Sequence, residues 1–242
     1  MTIDLQTQVG QIARSNYKTV EVFEKLRIDF CCGGDISLEE ACRSKNANAE
    51  EVLGTLKKVM GIGQSENDRI HSLPLDQLID HIIAVHHSYV LESIPVLQKY
   101  LHKIAEVHGD HHPELAQVES SFNQAAANLF SHMQKEENIL FPWVKQMVQA
   151  KENNVKFAAA HAGTVNSPIA VMKQEHEAEG DRFEQLSVMT NNYSIPEDAC
   201  NSYNYAFQKL REFEQDLHRH IHLENNILFP EAIKLEKELT NA

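Results

Sequence analysis

Two eleven-residue stretches, HMQKEENILFP at 132–142 and HIHLENNILFP at 220–230, repeat one another 88 positions apart. Each sets a histidine four residues before a glutamate, His132 with Glu136 and His220 with Glu224. On an α-helix that spacing brings both side chains to one face, about 6 Å apart along the axis. One such pair is an ordinary helix contact; the same pair twice in a shared context is a donor set. Two more histidines stand upstream at matching distances, His87 45 residues before His132 and His176 44 residues before His220. If the chain climbs one helix and descends the next, that interval is about 33 Å out and about 33 Å back, and all four imidazoles share one level. Four imidazoles and two carboxylates suit a pair of metal ions, the carboxylates bridging and two imidazoles capping each metal. Positions remain for an oxo or hydroxo bridge and an outside ligand. Nitrogen and oxygen donors with open positions indicate non-haem iron ahead of zinc, with manganese as an alternative. Imidazole dominates this set, unlike the carboxylate-rich Glu-x-x-His centres of other bundles, which favours reversible ligand or redox chemistry over metal storage.

Other reactive residues fall outside that set. His86, His218 and His222 have no counterpart in the other half and are assigned supporting or surface positions. His108 lies 21 residues beyond His87, about 31 Å away on a continuous helix, and is left out. Glu175 adjoins His176 but points elsewhere on the helix, with a supporting or access-channel role as the alternative. The shared ILFP tail reads as packing and helix-kinking scaffold. A separate motif, DFCCGG at 29–34, places Cys31 and Cys32 before two glycines and close to a helix start marked by Ser37. A helix N-terminus favours the thiolate, so the pair is a candidate for docking or metal relay; the alternative is two buried cysteines before a turn. Cys42 and Cys200 are isolated and read as structural.

The elements that must hold these residues are helical almost throughout. Apolar residues recur at three and four positions in segments rich in Ala, Leu, Glu, Lys and Gln. Four long patterns follow Leu75, at about 75–108 (punctuated by Pro95), 113–150, 168–190 and 196–238. Joined by short connections, they predict an all-α fold, an up-down-up-down four-helix bundle, with the repeated phrases on the diagonally placed second and fourth helices. Ahead of it, residues 1 to about 60 predict a small trio of helices, two of their starts marked by capping-box spacing at Ser37/Glu40 and Asn48/Glu51. The stretch GIGQSENDRIHSLP at 61–74 reads as the boundary, giving domains 1–62 and 72–242. The chain has 242 residues, 14 His, 22 Lys+Arg and 35 Asp+Glu, for a net charge of -13, which argues against nucleic-acid or anionic-membrane partners bound through a basic surface. No stretch approaches the ~20 apolar residues of a membrane span. The absence of a secretory pattern at the start and the presence of only four cysteines suggest a cytosolic protein with reduced thiols.

The paired HMQKEENILFP and HIHLENNILFP, together with DHIIAVHH at 80–87, HGDHHPEL at 108–115, QEHE at 174–177 and FEKLRIDFCCGG at 23–34, resemble the repair-of-iron-centres proteins, which are hemerythrin-like di-iron proteins. The resemblance covers nearly the whole chain. It implies a protein that restores iron-sulfur clusters damaged by nitric oxide or hydrogen peroxide, in a bacterial cytosol and able to form a homodimer. The metal positions it implies are His87, His132, Glu136, His176, His220 and Glu224, the set that spacing selects; a further histidine would map to His108, where the geometric argument disagrees. Three mechanisms compete. The protein could supply labile iron to damaged iron-sulfur proteins, with Cys31 and Cys32 docking or relaying it. It could reduce nitric oxide to nitrous oxide at a diferrous pair. It could bind or sense dioxygen, a role that leaves the cysteine region unexplained. Iron supply is the favoured expectation.

Overall fold

The computed structural model describes residues 2–61, 70–155, 157 and 163–240, and among these every regular element is helical apart from one isolated bridge between Gln8 and Ser37. The N-terminal region holds four helices where three were expected: α1 (Val9–Ser15), α2 (Lys18–Leu26), α3 (Leu38–Ser44) and α4 (Ala49–Gly61). The extra break falls at Asn16, whose backbone is extended (φ -161, ψ 119) and whose Oδ1 accepts from the Lys18 N–H at 2.9 Å. An asparagine that bonds its own neighbouring backbone competes with the helix and divides it. The Ser37/Glu40 capping box is complete, and Asn48 Oδ1 accepts from Glu50 and Glu51 at 3.1 and 3.4 Å to start α4. Most of the expected boundary, residues 62–69, lies outside the described residues.

The bundle has four arms, as the periodicity predicts. The first is α5 (Leu75–His81), a π-turn π1 (Ile82–His87) and α6 (Ser88–His108). The second is α7 (Glu114–Lys135), π2 (Glu136–Leu140) and α8 (Phe141–Glu152). The third is α9 (Asn166–Met189), and the fourth is α10 (Asn201–Leu223), π3 (Glu224–Leu228) and α11 (Phe229–Thr240). α6 packs on α7 and α10, and α9 packs on the same two, so the repeated phrases lie on opposed arms. No helix among the described residues is long and apolar enough to cross a membrane.

Both copies of the phrase contain a π-turn just ahead of their Phe-Pro ending, and the proline explains it. Pro142 and Pro230 have no N–H to give the carbonyls of Asn138 and Asn226, and their rings crowd those carbonyls. Shifting to i→i+5 bonding over the preceding five residues inserts the needed slack, and such π-turns recur at functional sites. The ligand-bearing residues Glu136 and Glu224 each open a π-turn, and His87 closes one.

Two apolar clusters divide the interior. One spans the N-terminal helices and the upper bundle, from Phe23 and Phe30 to Phe213 and Ile221; the other fills the lower bundle around Ile82, Phe141, Met172 and Phe229. The N-terminal region is held to the bundle by this shared core and by the two-pronged Arg219–Glu24 pair at 2.8 and 2.9 Å. Near this junction burial raises the Glu214 carboxyl from 4.5 to about 7, partly offset by Arg27. The folded state therefore keeps a proton that the unfolded chain releases above about pH 4.5, and stability contributed by this group falls as pH rises toward 7, by on the order of 3 kcal/mol. Glu214→Gln is expected to flatten that slope; urea denaturation of both proteins at about pH 5 and pH 8 measures it, and an identical slope would contradict the assignment.

Candidate metal centre

His87, Glu136, His220 and Glu224 form one group whose ligand atoms all lie within 4.8 Å of one another, and His132, Glu136, His176 and Glu224 form a second. The two groups share both carboxylates. All six residues are buried, the most exposed at 3%, between the two apolar clusters. His132 Nε2 and His87 Nε2 each stand 3.4 Å from one oxygen of Glu136. Likewise His176 Nε2 and His220 Nε2 each stand 3.1 Å from one oxygen of Glu224.

The donor atoms lack adequate partners within the protein. Both oxygens of Glu136, Oε2 of Glu224 and Nε2 of His87 are buried with no hydrogen bond. An unsatisfied buried carboxylate is costly, and a cation bound among these donors would supply what is missing. Burial pushes Glu136 and Glu224 upward, but the adjacent histidines more than offset it and hold both below the ordinary carboxylate range. The same carboxylates outweigh the burial of His132 and raise it to about 9. The chemistry of the set, two anions and four imidazoles, fits divalent iron.

The structure also supplies acceptors that orient the imidazoles. His87 Nδ1 donates to Glu137 Oε1 at 2.7 Å, His132 Nδ1 to Glu175 Oε2 at 2.9 Å and His176 Nδ1 to Asn225 Oδ1 at 3.0 Å. The Asn225 amide is oriented because its Nδ2 donates to the Cys31 carbonyl at 3.0 Å, which leaves only its oxygen for His176. With the proton on Nδ1, each ring turns its Nε2 lone pair inward. Glu137 and Asn225 occupy the same place in the two repeated phrases, directly after the glutamate. Sequence reasoning passed over both; Glu175, read as pointing elsewhere than His176 with a supporting or access-channel role as the alternative, turns to His132. The available signal was a carboxylate or amide adjacent to a ligand. A ring that ligates through Nε2 presents Nδ1 on its other edge, off the ligand-bearing face. His86 is buried, stacked on His220 at 5.5 Å and bonded to Asp216 at 3.0 Å.

A cavity of about 260 Å³ reaches His132 and His176 between α7 and α9, with Lys135 and Glu175 in its wall. It gives small molecules a route to one side of the centre.

His108 belongs to neither group. It closes α6, and its Nε2 lies 3.2 Å from Cys200 Sγ. Cys200, read as structural, is exposed at the start of α10. His108, with the Tyr203 and Ser202 N–H groups, lowers this thiol to about 7, whereas burial raises Cys42. Cys200 is expected to alkylate faster than Cys42 by at least about tenfold near pH 7. Peptide mapping after timed iodoacetamide exposure checks this, and equal rates would refute it.

The adjacent cysteines sit against the centre. Cys32 Sγ donates to the His176 carbonyl at 3.4 Å. Cys31 is buried and Cys32 partly exposed. The hydrogen bond with Cys32, burial and the nearby Asp29 carboxylate raise the Cys31 thiol well above its ordinary value, opposite to the lowering expected from a helix start.

Residues 78–232 match the hemerythrin HHE cation binding domain, and residues 5–60 match a domain of unknown function (DUF542). Over 94% of this chain and 97% of the relative, 34% of residues are identical to a probable iron-sulfur cluster repair protein of Haemophilus influenzae. The iron-sulfur cluster repair protein YtfE of Escherichia coli is 32% identical over 93% of this chain and 96% of its own. The iron-sulfur cluster repair protein ScdA of Staphylococcus haemolyticus is 28% identical over 91% and 95%.

Proposed function

Because this chain belongs to the iron-sulfur cluster repair proteins with a hemerythrin HHE cation binding domain, we propose that it repairs damaged iron-sulfur clusters by supplying iron held as a pair of ions in its bundle. His87 and His220 would hold one ion, His132 and His176 the other, with Glu136 and Glu224 common to both. The observation that carries this reading is the sharing of two buried, incompletely partnered carboxylates by two histidine pairs. Bound iron would supply exchangeable cargo and, in its ferrous state, affinity for small ligands such as nitric oxide or dioxygen. The protein's own residues orient the imidazoles, keep bulk water out and leave one narrow cavity beside His132 and His176.

We divide the chain accordingly into a cysteine-bearing region, 1–62, and an iron-holding bundle, 72–242. The contact of Cys32 with the His176 carbonyl supports a docking or relay role for Cys31 and Cys32. The names of the relatives favour repair over nitric oxide reduction or dioxygen carriage. The test is anaerobic: iron per chain by mass spectrometry, then transfer to an apo-ferredoxin, beside gas analysis after nitric oxide addition. Two irons per chain and transfer without repeated nitrous oxide turnover are expected. Many turnovers of nitrous oxide with the iron retained would replace this reading with a reductase.

A further inference from the structure

Asp29, Cys31 and Cys32 make a third cluster whose ligand atoms lie within 4.8 Å of one another, apart from the six residues of the bundle. The two sulfurs are 3.7 Å apart, and Cys31 Sγ is 3.4 Å from Asp29 Oδ1. Two thiolates on one tetrahedral divalent ion, each at about 2.3 Å, stand about 3.8 Å apart; a thiolate and a carboxylate oxygen stand about 3.6 Å apart. The metal-free turn thus already has nearly the spacing of the occupied one.

The fold maintains that spacing. Asp29 Oδ1 accepts from the Cys31 and Cys32 N–H groups, each at 2.9 Å, and Oδ2 from Gly33 at 2.8 Å. These bonds hold adjacent side chains on one side of the backbone, where an extended chain would send them to opposite faces. Gly180, inside α9, leaves room for the thiol: a Cβ there would lie 3.2 Å from Cys32 Sγ. Glycine in a helix interior is destabilising relative to alanine, which is offset here by admitting sulfur against the helix that bears His176. On its open side the cluster faces a cavity of about 660 Å³, whose lining includes Asp29, Cys31, Cys32, Gly180 and His218. An incoming sulfur or water can complete the coordination from there.

We propose that Asp29, Cys31 and Cys32 form a second metal site, a thiolate station that takes ferrous iron leaving the bundle and presents it in the cavity to a thiol-bearing acceptor. The identity of the cargo rests on the iron-supply reading; the site itself rests on its geometry. Occupancy exchanges two S–H protons, released to solvent, for one divalent ion, and no electron moves. Asn225 ties the stations together, since its amide donates to the Cys31 carbonyl at 3.0 Å and accepts from His176 Nδ1 at 3.0 Å.

The probe is cobalt(II), added to the full metal-free chain under anaerobic conditions. Thiolate coordination gives a sulfur-to-cobalt charge-transfer absorption that the nitrogen and oxygen donors of the bundle cannot give. The wild type and a Cys42→Ser/Cys200→Ser control are expected to show the band, and Cys31→Ser/Cys32→Ser to lose it while still binding metal in the bundle. Asp29→Asn, which keeps an acceptor oxygen for the turn, is expected to bind cobalt at least about tenfold more weakly. No band in the wild type, or a band surviving the double serine variant, overturns the site; unchanged affinity in Asp29→Asn removes Asp29 from it. Iron-loaded Cys31→Ser/Cys32→Ser is expected to pass iron to apo-ferredoxin about tenfold more slowly than wild type. Equal rates would overturn the station's place on the route while leaving iron supply intact. Failure of the wild type itself to transfer would refute iron supply, and with it the proposed cargo, while the cobalt band still decides whether the site exists.

Discussion

Glu136→Leu and Glu224→Leu are each expected to lose bound iron almost completely and still fold. Each glutamate belongs to both ligand groups, so one substitution withdraws an anionic donor from both metal positions together. Loss of a histidine would cripple one position first. Ligand orientation alone is worth about 10- to 100-fold in metal affinity, and removing a shared ligand exceeds that. The metal-free proteins are expected to lose some stability while remaining folded. His87 and His132 each stand 3.4 Å from Glu136, and removing one partner of a buried pair costs up to about 3–5 kcal/mol, less where the stranded imidazole sheds its proton. Iron per chain after gel filtration, paired with thermal unfolding of the apo proteins, measures both effects. Full iron retention in the two variants would exclude these glutamates as ligands; loss of iron with a collapsed apo fold would mean that they act as scaffold.

Asn225→Leu is expected to speed iron release to a ferrous chelator by about 10- to 100-fold, the usual consequence of removing the acceptor that orients a ligating imidazole. It strands two buried groups, the His176 Nδ1–H and the Cys31 carbonyl, so unfolding free energy is expected to fall by about 2–4 kcal/mol at about 1–2 kcal/mol per orphaned group. Glu137→Gln, at the matching place in the first phrase, keeps an acceptor for His87 and is expected to be the milder change. Stopped-flow chelation and denaturant titration distinguish the two. An Asn225→Leu protein that releases iron at the wild-type rate would show that His176 holds its tautomer unaided.

The convergence of the six candidate ligands was legible because it is written in local periodicity. His132 with Glu136 and His220 with Glu224 meet at four-residue spacing whatever else the chain does, since 3.6 residues make a helical turn. His87 and His176 then follow from the near-equal lengths of the two helical hairpins. The same arithmetic kept His108 out, and in the structure its ring stands beside Cys200. The short N-terminal helices were harder to divide, because Asn16 breaks one of them through a side-chain bond that periodicity does not register.

The sequence by itself determined which six residues face one another, the four-arm bundle and the presence of a thiol pair. The tertiary structure alone decided which histidines pair, His87 with His220 and His132 with His176, that Glu175 turns to His132, and that His108 serves Cys200. It also decided that the cysteine turn lies against His176, through contacts spanning 144 and 194 residues between Cys32 and His176 and between Cys31 and Asn225. The division has one physical cause. Helical geometry repeats every few residues and can be read along the chain, whereas the acceptor for an outward-facing Nδ1 comes from whichever element packs beside that ring, and packing depends on the whole interior at once.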